Sequence, residues 1–289
     1  MTIVLGAPGV DGLGGVAGVL REWQYEGAPV QLHPGDLGWF WRFGAEATAA
    51  AVRTWSRAGR ILAVGLLDGP GLVRLAIAPD ARQDEELARR LADDMTGRAV
   101  LPEGKAQADA SMSPLVQDLL SERGWTADEP WTPLRRDLTE PVETPDVRTE
   151  VIGPERAHVR TAVQRASFDG STFTDSRWHA MASGPLYTAA RCLVSYDDQG
   201  NAVAAATVWS ARPGRPGLLE PMGVHRDHRG HGHGTAITLA AAAALQELGS
   251  SSALVCTPTS NTGAIATYES AGFHRLTQIR DHSRAQGPP

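Results

Sequence analysis

The sequence predicts two tandem copies of one mixed α/β fold, on three observations. Short apolar strand-like runs alternate with helical stretches along the chain. A pattern in the first half recurs in the second at a nearly constant offset. Between the halves lies Thr139-Glu140-Pro141-Val142-Glu143-Thr144-Pro145, which has two prolines and no apolar period. The expected division is a first domain over 1–138, a linker over 139–145 and a second domain over 146–281. A disordered tail over 282–289 is expected to follow.

In the first copy, residues 1–5 read as a short strand and 10–23 as a helix weakened by glycines. Residues 31–36 are turn-like. The aromatic group Trp39-Phe40-Trp41-Phe43 precedes an alanine-rich helical stretch over 45–55. Residues 60–67 and 72–77 read as buried strands joined by an Asp68-Gly69-Pro70-Gly71 turn. Residues 84–95 and 113–122 are helices, the second closed by Gly124, and 131–138 is the closing strand. In the second copy, 147–152 is a strand, and Gly153-Pro154-Glu155 opens a helix to 168. A helix over 175–182, strands over 192–196, 202–210 and 218–224, a helix over 234–248 and a strand over 253–257 follow. A helix over 261–270 and a strand over 273–279 complete the copy.

The repeat places Asp80 on Asp227 and Arg82 on Arg229, 147 residues apart. Gly124-Trp125 falls on Gly272-Phe273, 148 apart. The copies differ after the shared arginine. The second reads Gly230-His231-Gly232-His233-Gly234, and the first reads Gln83-Asp84-Glu85-Glu86-Leu87.

Composition narrows the class. With 42% hydrophobic and 21% charged residues, the 289-residue chain reads as soluble and globular. No apolar run reaches the roughly 18–20 residues that span a bilayer, and the first residues lack a basic segment before their apolar ones. Two cysteines, Cys192 and Cys256, are too few for a disulfide scaffold and fit a reducing, cytoplasmic setting. A net charge of −6 disfavours a nucleic-acid surface.

The chemistry concentrates where the strand over 218–224 runs through glycines into a helix. The first amides of a helix lack intrahelical partners and carry the positive end of its dipole. Glycines let a phosphate approach them closely. A Walker A loop needs a Lys before Ser/Thr, whereas Thr235-Ala236 follow Gly234 directly. A dinucleotide fingerprint needs G-x-G-x-x-G, whereas the spacing here is G-x-G-x-G. In the first copy, three carboxylates at the equivalent helix start oppose an anion.

Arg229-x-x-Gly232-x-Gly234 after a strand ending in Val224 resembles the coenzyme A pyrophosphate loop of the GCN5-related N-acetyltransferase (GNAT) superfamily. Downstream, Asn261-x-x-Ala264-x-x-x-Tyr268-x-x-x-Gly272-Phe273 resembles a second motif of that superfamily. The resemblance implies two tandem domains, each a twisted, mostly antiparallel mixed sheet flanked by helices, with a degenerate N-terminal copy. It further implies acetyl-CoA as co-substrate, held by Met222, Gly223, Val224, Arg229, Gly230, His231, Gly232, His233, Gly234, Thr235, Asn261 and Tyr268. Asn261 would meet the pantetheine arm, and Tyr268 would protonate the departing thiolate. Glu220, placed with Met222 and Val224 on one face by strand alternation, would take the amine proton. A bulge near Gly223 or Val224 would free an amide for the thioester carbonyl.

Plainer readings stand beside these. Asn261 also fits an N-cap, Tyr268 a core ring with a bonded hydroxyl, and Glu220 a structural carboxylate. His225, His228, His231 and His233 match no zinc spacing, so no metal is expected; solvated loop residues suit them better. Cys256 reads as small apolar core, and the aromatic group at 39–43 as core. The implied function is acetyl transfer to a primary amine of a small molecule by direct attack, by a monomer or homodimer without nucleic-acid or membrane partners. The alternative is a non-catalytic acyl-CoA-binding sensor.

Overall fold

The computed structural model describes residues 2–143 and 145–285. Its first half contains β1 (Val4–Gly6), α1 (Leu13–Glu22), α2 (Pro34–Phe40), α3 (Ala45–Ala51), β2 (Val52–Arg57), β3 (Arg60–Leu67) and β4 (Leu72–Ile77). Then come α4 (Glu85–Thr96), β5 (Ala106–Asp109), α5 (Pro114–Glu122), β6 (Thr126–Ala127) and β7 (Trp131–Asp137). The second half contains β8 (Thr149–Val151), α6 (Ala157–Ser167), α7 (Asp175–Ala182), β9 (Ala190–Tyr196), β10 (Ala202–Ser210) and β11 (Gly217–Val224). It ends with α8 (His233–Glu247), β12 (Ser252–Pro258), α9 (Thr262–Ser270), β13 (His274–Arg275) and β14 (His282–Arg284).

Helix starts follow local side chains. Asp84 accepts from the Leu87 amide to open α4, and Ser113 from Val116, with Pro114 at the first helical position of α5. Thr174 caps α7 and Asn261 caps α9 in the same way. By contrast, α8 opens on Gly232 in the left-handed region, with no side-chain cap.

The strands form two mixed seven-stranded sheets, ordered β1-β2-β3-β4-β5-β14-β6 and β8-β9-β10-β11-β12-β7-β13. The two orders match position by position. Each contains a parallel pair: β4 with β5, and β11 with β12.

The chain forms two compact units whose boundaries differ from a linear division at the linker. One holds the residues up to His33, Ala45–Trp131 and those from Gln278; the other holds Pro34–Gly44 and Thr132–Thr277. The closing strand expected for the first copy, β7, instead pairs with β13 in the second sheet, Arg135 opposite His274. Residues 282–284, expected to be disordered, form β14 between β5 and β6 in the first sheet, and His282 is buried there. The Arg284 guanidinium fixes this strand on the carbonyls of Thr96, Pro102 and Gly104. Residues 286–289 of the expected tail lie outside the described residues. Other elements also depart from expectation: the strand over 273–279 is reduced to β13, and β6 had no counterpart. The helix over 45–55 stops at Ala51 and continues as β2, β5 had no counterpart, and the end of the expected turn over 31–36 opens the helix α2 at Pro34.

The second unit packs both faces of its sheet. On β10, Ala204, Ala206 and Val208 face Leu219, Ile237, Ala241 and Leu245 beneath α8. Ala205 and Trp209 face the opposite core, with Val163, Phe173 and Trp178 of the α6–α7 side. This is the period-2 alternation of a strand buried on both sides.

Candidate active site

β11 and β12 run in parallel only at their start, where Gly217 lies opposite Ala253 and Leu218 opposite Leu254. Beyond Leu218 the two strands part. In the first unit, β4 stays registered with β5 through Arg74, the position equivalent to Pro221. The parted strands wall an open cleft of about 850 Å³, lined by Leu219 to Val224, Val255 to Pro258, the glycine loop and one side of α9.

The bulge sits earlier than expected. Against β10, Met222 faces Ala206 and Leu219 faces Val208, so Glu220 and Pro221 together stand opposite Thr207. Glu220 is therefore out of phase with Met222 and Val224, and the one-face reading of 220, 222 and 224 is corrected to 219, 222 and 224. Gly223 pairs regularly with Ala205. Its missing Cβ serves packing instead, since a methyl there would lie 2.6 Å from the Ser167 Cβ and 2.8 Å from the Phe168 ring. The His225 amide donates to the Val203 carbonyl at 2.8 Å. Antiparallel alternation then turns the Gly223 amide toward β10 and the Met222 and Val224 amides outward, into the cleft.

The loop after β11 is anchored by two arginines. Arg226 donates to the Ala166 carbonyl, and Arg229 to the Ser167 carbonyl, both at 2.9 Å. These are the last carbonyls of α6, which have no intrahelical partner, and cations suit that end of the helix. Arg229 Nε also reaches the Val224 carbonyl. The guanidinium that the family pattern places at the loop's start thus ties β11 and α6 together.

At Gly232, φ is +82°, a turn that brings the chain straight into α8. The first intrahelical bond there is Ala236 to Gly232, so the amides of His233, Gly234 and Thr235 have no partner of that kind. All three residues, with Gly230, Gly232 and Arg229, line the cleft. A Cβ on Gly234 would lie 2.9 Å from Thr267 on α9. No acid stands in the first turn of α8. In the first unit, Asp84 fills the equivalent helix start and is itself paired with Arg57 at 2.6 Å. That hydrogen bond holds the Asp84 carboxyl below its usual range.

The histidines divide. His231 is exposed and outside the cleft lining. His233 is half-buried on the lining, with its Nδ1 buried and unpartnered. Burial, then His231 and His228, hold it below the usual histidine range. It is therefore neutral at pH 7, where a solvated loop histidine was expected. His228 bridges the group, 5.1 Å from His225 and 6.4 Å from His233 between ring centroids. Among the described residues no cluster suited to hold a metal ion is found.

Asn261 lines the cleft and caps α9 at once, accepting from the Ala264 amide at 3.2 Å. Tyr268 is 5% exposed, packs 6.0 Å from Phe273 and lines the cleft. Burial first, and then the charge fields of Glu220 and Cys256, push its hydroxyl above the usual tyrosine range. Glu220 and Tyr268 thus share one electrostatic neighbourhood although they come from different elements. Cys256, expected in the core, lines the cleft instead, because β12 has lost its neighbour there.

Ser167, Phe168 and Thr267 complete the lining. They went unread in the sequence, because they reach the cleft only through the packing of α6 and α9 on β11 and α8.

Residues 161–273 match the model of the acetyltransferase (GNAT) family. A sequence search against curated proteins finds no significant relative. Among solved structures, the chain is similar to a tandem GNAT protein from the clavulanic acid biosynthesis pathway, with a TM-score of 0.63 at 15% identity over 100% of both chains. It is also similar to a GCN5-related N-acetyltransferase from Sphaerobacter thermophilus, with a TM-score of 0.60 at 16% identity over 98% of this chain and 95% of that one. A GNAT-family acetyltransferase from Colwellia psychrerythraea gives a TM-score of 0.60 at 15% identity over 99% and 100%. The match to that family model covers residues 161–273, within the second half of the chain. The chain as a whole has the tandem GNAT fold.

Proposed function

We infer that the second unit binds acetyl-CoA in this cleft and transfers the acetyl group to a primary amine of a small molecule. The observation that carries the reading is the coincidence, in one opening, of an uncapped helix N-terminus with parted strands, Glu220 and Tyr268. The amides at the start of α8 suit a pyrophosphate. The outward amides of Met222 and Val224 suit the pantetheine arm or the thioester carbonyl, and Asn261 borders the same path. Acetyl-CoA supplies the thioester carbon that the amine attacks. As the C–N bond forms and the C–S bond breaks, Glu220 accepts the amine proton, directly or through water, and Tyr268 donates its proton to the sulfur. A tyrosine kept protonated by burial suits that second role. In the first unit, Asp84 occupies the equivalent helix start and β4 is still paired with β5 at the position equivalent to Pro221.

The test uses the full chain. Calorimetry with coenzyme A should show binding, and thiol release with a panel of amines should show turnover. Tyr268→Phe should keep the binding and lower kcat. Binding without turnover on any amine, unchanged in Tyr268→Phe, would support an acyl-CoA sensor instead. No coenzyme A binding at all would remove both readings.

A further inference from the structure

The β11 bulge sets down Glu220 beside the cleft, and a residue outside the cleft holds it there. Pro221 has no N–H, and Thr207 stands against two residues at once, so the ladder between β10 and β11 is broken at this point. The Glu220 carbonyl accepts from the Trp209 indole Nε1–H at 2.9 Å. A side chain supplies the bond that a ladder amide supplies elsewhere.

Trp209 is itself locked. It is 1% exposed, in the core on the α6–α7 side of the sheet. One side of its ring lies on Gly38 of α2, where a Cβ would fall 2.3 Å from Cζ3 and 2.7 Å from Cε3. The Tyr187 ring meets it edge-on, with centroids 6.2 Å apart. Gly38 belongs to Pro34–Gly44, the piece of the chain's first half that folds into the second unit. Gly38, the Trp209 indole and the Glu220 carbonyl therefore form one continuous line of contact ending at the bulge.

We propose that Trp209, seated by Gly38, is a positioning residue that fixes the β11 bulge and thereby aims the Glu220 carboxylate at the acceptor amine. The inference rests on the reading of Glu220 as the proton acceptor. It also gives residues 34–44 a role in the chemistry of the second unit.

Trp209→Phe removes the N–H and keeps an aromatic ring. Trp178→Phe is the volume control, because Trp178 lies in the same core and its indole Nε1 is buried without a partner. With an amine that the wild-type chain acetylates, W209F should lower kcat roughly 10- to 100-fold, the scale of a displaced catalytic group. Its KM for acetyl-CoA should stay within about twofold of wild type, and the acid limb of its kcat–pH profile should move. W178F should keep the wild-type kcat and pH profile. If W209F keeps both too, or if the two variants lose kcat alike, the inference is overturned. Should W209F not fold, Gly38→Ala shifts the indole while keeping its N–H, and a wild-type kcat in that variant overturns the inference equally. Wild-type turnover with an indifferent W209F refutes the positioning role alone. Wild-type protein that acetylates no amine refutes the proposed function and this inference with it.

Discussion

Asp281→Asn should stabilise the first unit increasingly as pH rises from about 4 to about 7, and do little below that range. Asp281 immediately precedes β14, is 8% exposed, and accepts from Gln107 Nε2 at 2.7 Å. Burial first, and then the charge of Asp109, raise its carboxyl from an ordinary 3.8 to about 7; Gln107 and Arg74 oppose the shift and Asp128 adds to it. Between these values the folded protein holds a proton that the unfolded chain has released. Stability from this group is therefore full below about pH 4, falls as pH rises to about 7, and is flat above that. At about 1.4 kcal/mol per pH decade, the loss amounts to roughly 4 kcal/mol. Asparagine keeps an oxygen for Gln107 and carries no charge. Thermal unfolding at pH 8 should place the variant roughly 8–12 °C above wild type, with the gap closing at pH 4. Amide hydrogen exchange in β5 assigns the change to the first unit. A variant no more stable at pH 8, or a gap of equal size at both pH values, would show that Asp281 is ionised in the fold.

Other outcomes follow from the cleft. Gly223→Ala pushes a methyl into Ser167 and Phe168 and should cost about 1–3 kcal/mol in unfolding free energy measured with urea. Gly232→Glu places a side chain at φ +82° and a carboxylate at the α8 N-terminus; calorimetry should show coenzyme A affinity falling at least tenfold. Removing Arg226 and Arg229 together uncaps the end of α6 and should lower stability by roughly 1 kcal/mol per lost bond while weakening coenzyme A binding. His233, kept neutral by burial with His228 and His231 on one side and Asp197 and Asp198 on the other, should gain a proton when a phosphate arrives. Affinity should then rise as pH drops from 7 to 6. Calorimetry in buffers of different ionisation enthalpy should detect proton uptake, and none in His233→Ala.

The features legible in the sequence were local ones. The run from Leu218 through Gly234 encodes strand, turn and uncapped helix with its own residues, and Asn261 to Phe273 encodes a capped helix closed by glycine. The repeat also disclosed the paired architecture. Features that depend on which segments meet were not legible. No property of His282-Ser283-Arg284 marks it as a strand; the edges of β5 and β6 make it one, with Arg284 bound to carbonyls about 180 residues earlier in sequence. The alanines of 45–51 concealed the switch to extended chain at Val52, where β-branched and aromatic residues take over. Glycine permits a bulge, which points to Gly223 or Val224, whereas it is Pro221, with no N–H, that stands at the break in the ladder.

The exchange of β7 and β14 between the two sheets has a consequence for how the protein is made. Residues 131–137 leave the ribosome well before the rest of their sheet, and residues 282–284 well after the rest of theirs. The first unit must wait, one inner strand short, while the whole second unit is synthesised. Its β5 and β6 edges stay open to solvent for that time, which exposes them to chance pairing with other chains. A truncation or bulky fusion near residue 284 would therefore damage the half of the protein farthest from it in sequence.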